Sequence, residues 1–310
     1  MSNIQITENG SGKYSPEWFY SESQTPEWIS FAHKADELRE NFINLFRIER
    51  LKSLSRKDLL TSLFYNDEGT KTNLCYRLEM DKDILEVFGS ISGGAAYKFG
   101  LFYHKKNQSW TCGSPLKPIH LTEDEAIQKA EEMRNDLVEG AEIISSFGPL
   151  DSEEDYEQLY KQLEHIPGIN MVWRMKYYQM LFPTLFAPFY GQDIQLRVLH
   201  FLNQKPSDIP FIRMGQISLY ARKCNVPGVI FAHIYGKNVG YTNDTDDSDT
   251  NTLSDKKHKT HYWMYTVFDD KSWNECQQKG IMVLGMDDIG DYSQFASKEA
   301  LRQELIDVYD

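Results

Sequence analysis

Apolar residues spaced three and four apart mark the clearest elements of the chain. Trp28, Phe31, Ala35, Leu38, Phe42 and Leu45 form one stripe under a charged outer face, which predicts an amphipathic helix over 26–46. Thr25-Pro26 supplies an N-cap and a proline at the first helical position, where its missing N–H is no loss. Ser55-Arg-Lys-Asp58 has the form of a capping box, so a short helix through Phe64 follows. The same logic opens a helix at Thr122-Glu-Asp-Glu125, with Ala126, Ala130, Met133, Leu137 and Ile144 on its buried side as far as Ser145. Phe147-Gly-Pro-Leu150 breaks the chain, and Ser152-Glu-Glu-Asp155 restarts it. From Met171 to Phe182 the run is too rich in apolar and aromatic residues to be one-sided, which predicts a helix buried on most of its circumference and stopped by Pro183. Two further amphipathic segments cover 192–202 and 209–223.

A different period appears in the glycine-rich stretch 88–103. Phe99, Leu101 and Tyr103 alternate with Gly100 and Phe102, and Gly93-Gly94 offers a turn, so the stretch reads as strand, turn, strand. Segments 73–80 and 83–91 are expected as strands leading into this hairpin. Lys98 beside a glycine turn also invites a phosphate-loop reading, but Tyr97 and Phe99 flank it where a Walker A loop requires glycine and serine or threonine. Arg174 and Lys176 interleaved with aromatics could make a base-stacking platform; at helical spacing a helix core is the simpler reading.

Residues 238–260 are polar and Asp-rich, then basic, and read as a linker unable to bury a core. Beyond it, 261–268 and 281–284 read as strands, Ser272-Trp-Asn-Glu275 as a short helix, and Ser297 as the cap of a last helix. The expected class is α+β: an α/β N-terminal domain with a glycine-hairpin sheet over 1–150, a helical domain over 151–237, the linker, and a partial α+β unit over 261–310. Two strands in that last unit leave sheet edges unpaired, so either earlier chain completes it or the chain stops inside it.

Charge and composition narrow the chemistry. A net charge of −13 implies weak nonspecific affinity for DNA, although the acid is concentrated in 123–157 and 244–249 and leaves room for a basic face elsewhere. Cys75, Cys112, Cys224 and Cys276 are scattered without metal-ligand spacing. No apolar run reaches the length of a membrane span and the N-terminus lacks signal-peptide order, so the expectation is a cytoplasmic chain with no membrane partner. Neither G-x-S-x-G, H-E-x-x-H nor a Walker A sequence occurs. Asp269-Asp-Lys271 is half of a metal-dependent nuclease motif and lacks an upstream acidic partner. The expectation is no enzyme activity and no cofactor.

Several segments in order carry a resemblance. Phe46-Arg-Ile-Glu-Arg-Leu-Lys-Ser-Leu54, Asn73-Leu-Cys-Tyr-Arg-Leu-Glu79 and Gly89-Ser-Ile-Ser-Gly-Gly-Ala-Ala-Tyr-Lys-Phe-Gly-Leu-Phe102 resemble the N-terminal region of bacterial McrB-type AAA+ restriction and defence ATPases. Met175-Lys-Tyr-Tyr-Gln-Met-Leu-Phe-Pro183 is similar to the next helix of that family. Trp273-Asn-Glu-Cys-Gln-Gln-Lys-Gly-Ile-Met-Val-Leu-Gly-Met-Asp-Asp-Ile-Gly-Asp291 resembles the segment that begins its PUA-like (EVE-like) domain, departing at Met286, where the family usually has tryptophan.

The resemblance implies a non-catalytic specificity region that senses modified DNA and works with an AAA+ motor or nuclease subunit, since the family's motor motifs are not in these residues. An extruded base would stack on aromatics such as Trp263. Candidate binding residues are Tyr262, Trp263, Trp273, Asp287, Asp288 and Asp291 in the PUA-like unit, and Gly93, Gly94, Tyr97 and Lys98 in the glycine hairpin. A protein-interaction module of a phage-defence assembly is the alternative, with a metal-dependent nuclease behind it.

Overall fold

Prolines set the start of the first two helices. The computed structural model describes residues 14–64, 71–91, 96–105, 107–114 and 117–240, together with Ser297, Ala300, Leu301 and Gln303. Helix α1 (Pro16–Ser23) begins behind Ser15, whose side chain accepts from the Trp18 amide. Phe19 is fully buried there and its ring lies 4.6 Å from that of Phe231. Helix α2 (Pro26–Phe46) follows the expected stripe through Trp28, Ala35 and Phe42, but it buries Phe46 in place of Leu45, which is 41% exposed. Helices α3 (Ile48–Ser53) and α4 (Arg56–Leu63) come next. At the start of α4, Ser55 makes no capping bond, so the expected capping box does not form there.

The two segments expected as strands are helices, α5 (Leu74–Glu79) and α6 (Lys82–Phe88). Both carry genuine N-caps: Asn73 accepts from the Tyr76 amide at 2.8 Å, and Asp81 from the amides of Asp83 and Ile84. These bonds satisfy amide groups that a helix start leaves orphaned, and they decide between two readings that a short apolar run leaves open.

Of the expected strand, turn, strand in the glycine stretch, the first run begins inside a helix and the second is a strand only from Leu101 onward. Phe88 closes α6, Gly89 caps it at φ +77°, and Ala96–Phe99 is a 3-10 turn. Gly93 and Gly94 lie outside the described residues. The sheet lies downstream, as β1 (Leu101–His104), β2 (Ser109–Ser114) and β3 (Lys117–Leu121), antiparallel in the order β1-β2-β3. The hairpin that pairs His104 with Ser109 lies downstream of the turn expected at the glycine pair.

Helix α7 (Glu123–Phe147) begins with the expected capping box at Thr122 and packs against α3, α4 and the sheet. Helix α8 (Glu153–Leu163) repeats the device with Ser152 and Asp155. Helix α9 (Val172–Leu181) is buried from Trp173 through Met180, as its composition predicts. Helices α10 (Gln192–Phe201), α11 (Pro210–Lys223) and α12 (Gly228–Tyr235) complete the described fold, with a single π turn at Gly236–Gly240. The observed class is mixed α and β, mostly helical with one small antiparallel sheet. The buried core is continuous from Phe19 to Tyr235, drawing on residues before and after position 150. Near the C-terminus, the Ser297 hydroxyl accepts from the Ala300 amide at 3.1 Å, the capping expected of it.

Candidate functional site

Charged residues inside an apolar helix need partners, and α9 carries two. Lys176 is fully buried; its ammonium donates to the carbonyls of Leu78 at 2.9 Å and Gly89 at 2.6 Å, and lies 5.8 Å from the Tyr190 ring centroid. One carbonyl belongs to the last turn of α5 and the other caps α6, so one side chain ties two helix C-termini to a third helix. A cation there also faces the negative ends of both helix dipoles. Burial pushes its pKa down to about 7; Glu79 and Asp81 pull it back up, whereas Lys98 lowers it further.

Lys98 is the one candidate binding residue whose side chain the described structure places. It is turned inward, 13% exposed at the side chain, and pairs with Glu79 Oε1, itself on α5. The second carboxylate oxygen of Glu79 is buried without a partner. Asp81 is ion-paired with Arg77 while its carboxylate caps α6. Beside the cluster, Phe99 is fully buried with its ring 5.6 Å from that of Trp173. The backbone of Tyr97 lies in the 3-10 turn. Tyr262, Trp263, Trp273, Asp287, Asp288 and Asp291 lie outside the described residues, as does the Asp269 and Lys271 pair.

The arrangement binds protein to protein. Alternating cations and anions hold α5, α6, α9 and the 3-10 turn in register, and the Lys98 ammonium is engaged with a carboxylate where a phosphate ligand would need it open. Glu79 was not singled out from sequence, and Lys176 was weighed only as part of a base-stacking platform or a helix core. A charge within the apolar run of α9 is a signal that could have pointed to Lys176, since a buried charge requires a counter-charge or carbonyls nearby.

Two other buried polar groups brace the second half of the fold. Arg174 reaches Asp136 on α7 at 3.3 Å and lies against the Trp173 ring, as a member of the core and not of an exposed stacking surface. Arg213 donates to Gln195 and to the Ser207 carbonyl, both at 3.1 Å. Among the described residues no group of three or more His, Cys, Asp or Glu side chains is placed to hold a metal ion. Comparisons with protein-family models, with curated proteins and with solved structures returned no match.

Proposed function

We propose that the chain is a target-recognition region of a McrB-type anti-phage defence protein, sensing modified DNA and passing that state to an AAA+ motor or nuclease partner. The observation that carries this reading is the meeting of four separated sequence segments. Phe46 accepts from the Tyr177 hydroxyl at 2.9 Å, Leu78 and Gly89 accept from Lys176, and Lys98 pairs with Glu79. These residues belong to the four segments on which the resemblance rests in the first part of the chain. All four segments pack into one core, which is what reading them as one unit requires.

In this reading the region performs no bond-breaking, and the extruded base is read by Trp263 and its neighbours. The chain acts in the cytoplasm, and no helix of the described residues is long and apolar enough to cross a membrane. A gel-shift series with modified and plain duplexes tests it. Retention of the modified duplex at low salt is expected, and no complex with either duplex would contradict it. The acidic first turn of α7, Glu123, Asp124 and Glu125, favours the alternative of a protein-interaction module. Co-purification with a motor or nuclease subunit in the absence of nucleic acid would support that alternative.

A further inference from the structure

We propose that the open edge of β3 takes up an extended segment of a partner protein as a fourth, antiparallel strand. This surface goes beyond the function proposed above and does not depend on DNA being the target. Among the described residues β3 has a strand neighbour on one side only, and Lys117, Pro118, Ile119 and His120 are all exposed. Pro118 shows which way the backbone groups point. A proline has no N–H to give to a ladder, and within an edge strand its nitrogen faces away from the sheet. Antiparallel pairing alternates, so Lys117, Ile119 and Leu121 exchange bonds with β2 while Pro118 and His120 turn their groups outward. The edge therefore offers the Pro118 carbonyl together with the N–H and the carbonyl of His120.

The side chains along β3 define what the added strand carries. Strand register aligns two apolar rows, Leu101–Cys112–Ile119 and Tyr103–Trp110–Leu121, on the face that packs against α7. Exposure in the first row climbs from 0% at Leu101, through half-buried Cys112, to 55% at Ile119, the highest of any large apolar side chain among the described residues. The row runs out of cover at the edge. Two apolar residues, two positions apart on an incoming strand, would continue both rows.

Charge fixes the orientation. Lys117, beside Ser114, ends a third row and calls for an acid opposite it, whereas the exposed Glu123 just past the other end of β3 calls for a base. Read from its N-terminus, an antiparallel occupant is then base, apolar, polar, apolar, polar, acid, with its polar positions opposite His120 and Pro118. One missing N–H and one lysine also keep the edge from pairing with strands at large, a restraint that edge strands need. Addition of a strand to a sheet edge draws affinity from the main chain and specificity from alternate side chains, which is the division seen here.

A fluorescein-labelled peptide amide of sequence Lys-Val-Thr-Val-Thr-Glu, titrated with the full chain at low salt and followed by anisotropy, tests this. Saturable binding is expected, weaker by about threefold or more for Glu-Val-Thr-Val-Thr-Lys, in which the charges are exchanged. His120→Pro removes the outward N–H and leaves the bonds to β2, so it is expected to weaken binding about tenfold, whereas His120→Ala keeps the N–H and binds as the wild type does. Ile119→Thr, at a side chain already exposed, is a second variant that spares the backbone and is expected to weaken binding about threefold or more. No saturable binding, equal affinity for the two peptides, or wild-type affinity in both His120→Pro and Ile119→Thr would overturn the proposal. A wild-type dimer in sedimentation velocity that His120→Pro dissolves would overturn the assignment to a foreign strand, because a second copy would then fill the edge. None of these outcomes touches duplex binding, so the modified-DNA reading stands or fails separately.

Discussion

The ammonium of the fully buried Lys176 and the Gly89 carbonyl, 87 residues apart in sequence, lie 2.6 Å from each other. Because Leu78 accepts from the same nitrogen, two carbonyls depend on one side chain. Lys176→Met keeps the length and removes both donors. Each buried carbonyl left unpaired costs about 1–3 kcal/mol, partly offset because a charge no longer has to be desolvated. Urea unfolding at pH 7 is expected to show a net loss of about 2 kcal/mol.

Lys176 also gives the chain a distinct pH signature. Its folded pKa, about 7, lies below its ordinary 10.5, so between those values the unfolded chain binds more protons than the folded one. The penalty for burying the charge is therefore full below pH 7 and relieved as pH rises toward 10.5. Neutral lysine still offers two N–H groups to the two carbonyls, so the tether survives deprotonation. Stability of the wild type relative to Lys176→Met is expected to rise from pH 7 to pH 9.5, by up to about 1.4 kcal/mol per pH unit. Denaturant midpoints of both proteins over that range check it, and a flat difference would contradict it.

Neighbouring tyrosines on α9 should respond in opposite ways. The Tyr177 hydroxyl donates to the Phe46 carbonyl, whereas the Tyr178 hydroxyl is buried without a partner. Tyr177→Phe is expected to cost about 1 kcal/mol, and Tyr178→Phe to be neutral or stabilising. Gly140 on α7 extends the test, because a Cβ there would stand 2.2 Å from the Tyr178 hydroxyl oxygen. Gly140→Ala should destabilise by about 1–3 kcal/mol, and Tyr178→Phe in the same protein should recover part of that loss. Thermal melts of the three single variants and the double variant give the comparison.

Capping separates a real signal from one that only has the right letters. Thr122 accepts from the Glu125 amide and Glu125 reaches back to the Thr122 amide, while Ser55 caps nothing. Thr122→Ala is expected to cost about 1 kcal/mol and Ser55→Ala only a few tenths, measured by chemical denaturation.

That contrast shows what could be read from the chain. Long stripes such as Trp28 to Phe42, and the two-sided burial of 173–180, were legible because many residues vote for one period. Segments 73–80 and 83–91 were not, since eight or nine residues hold too few apolar positions to tell a strand from a helix. The deciding residues were Asn73 and Asp81, whose caps could have been recognised. Ser15-Pro16 repeats the Thr25-Pro26 pattern and marks α1, a helix not expected from the sequence. The sheet was placed too early because Gly93-Gly94 looked like its turn, while Ser109 to Leu121 offers little apolar alternation. At the candidate site Lys98 was named, yet its partner Glu79 lies 19 residues before it and the neighbouring Lys176 78 after it, a grouping visible only once α5 and α9 pack together.

The most direct measurement for the account as a whole is a competition. Modified and plain duplexes of one sequence, carrying different fluorophores, are mixed in equal amounts and titrated with the chain at low salt. Preferential capture of the modified duplex, by tenfold or more, is the predicted result. Equal capture of both, or of neither, would contradict a role in sensing modified DNA.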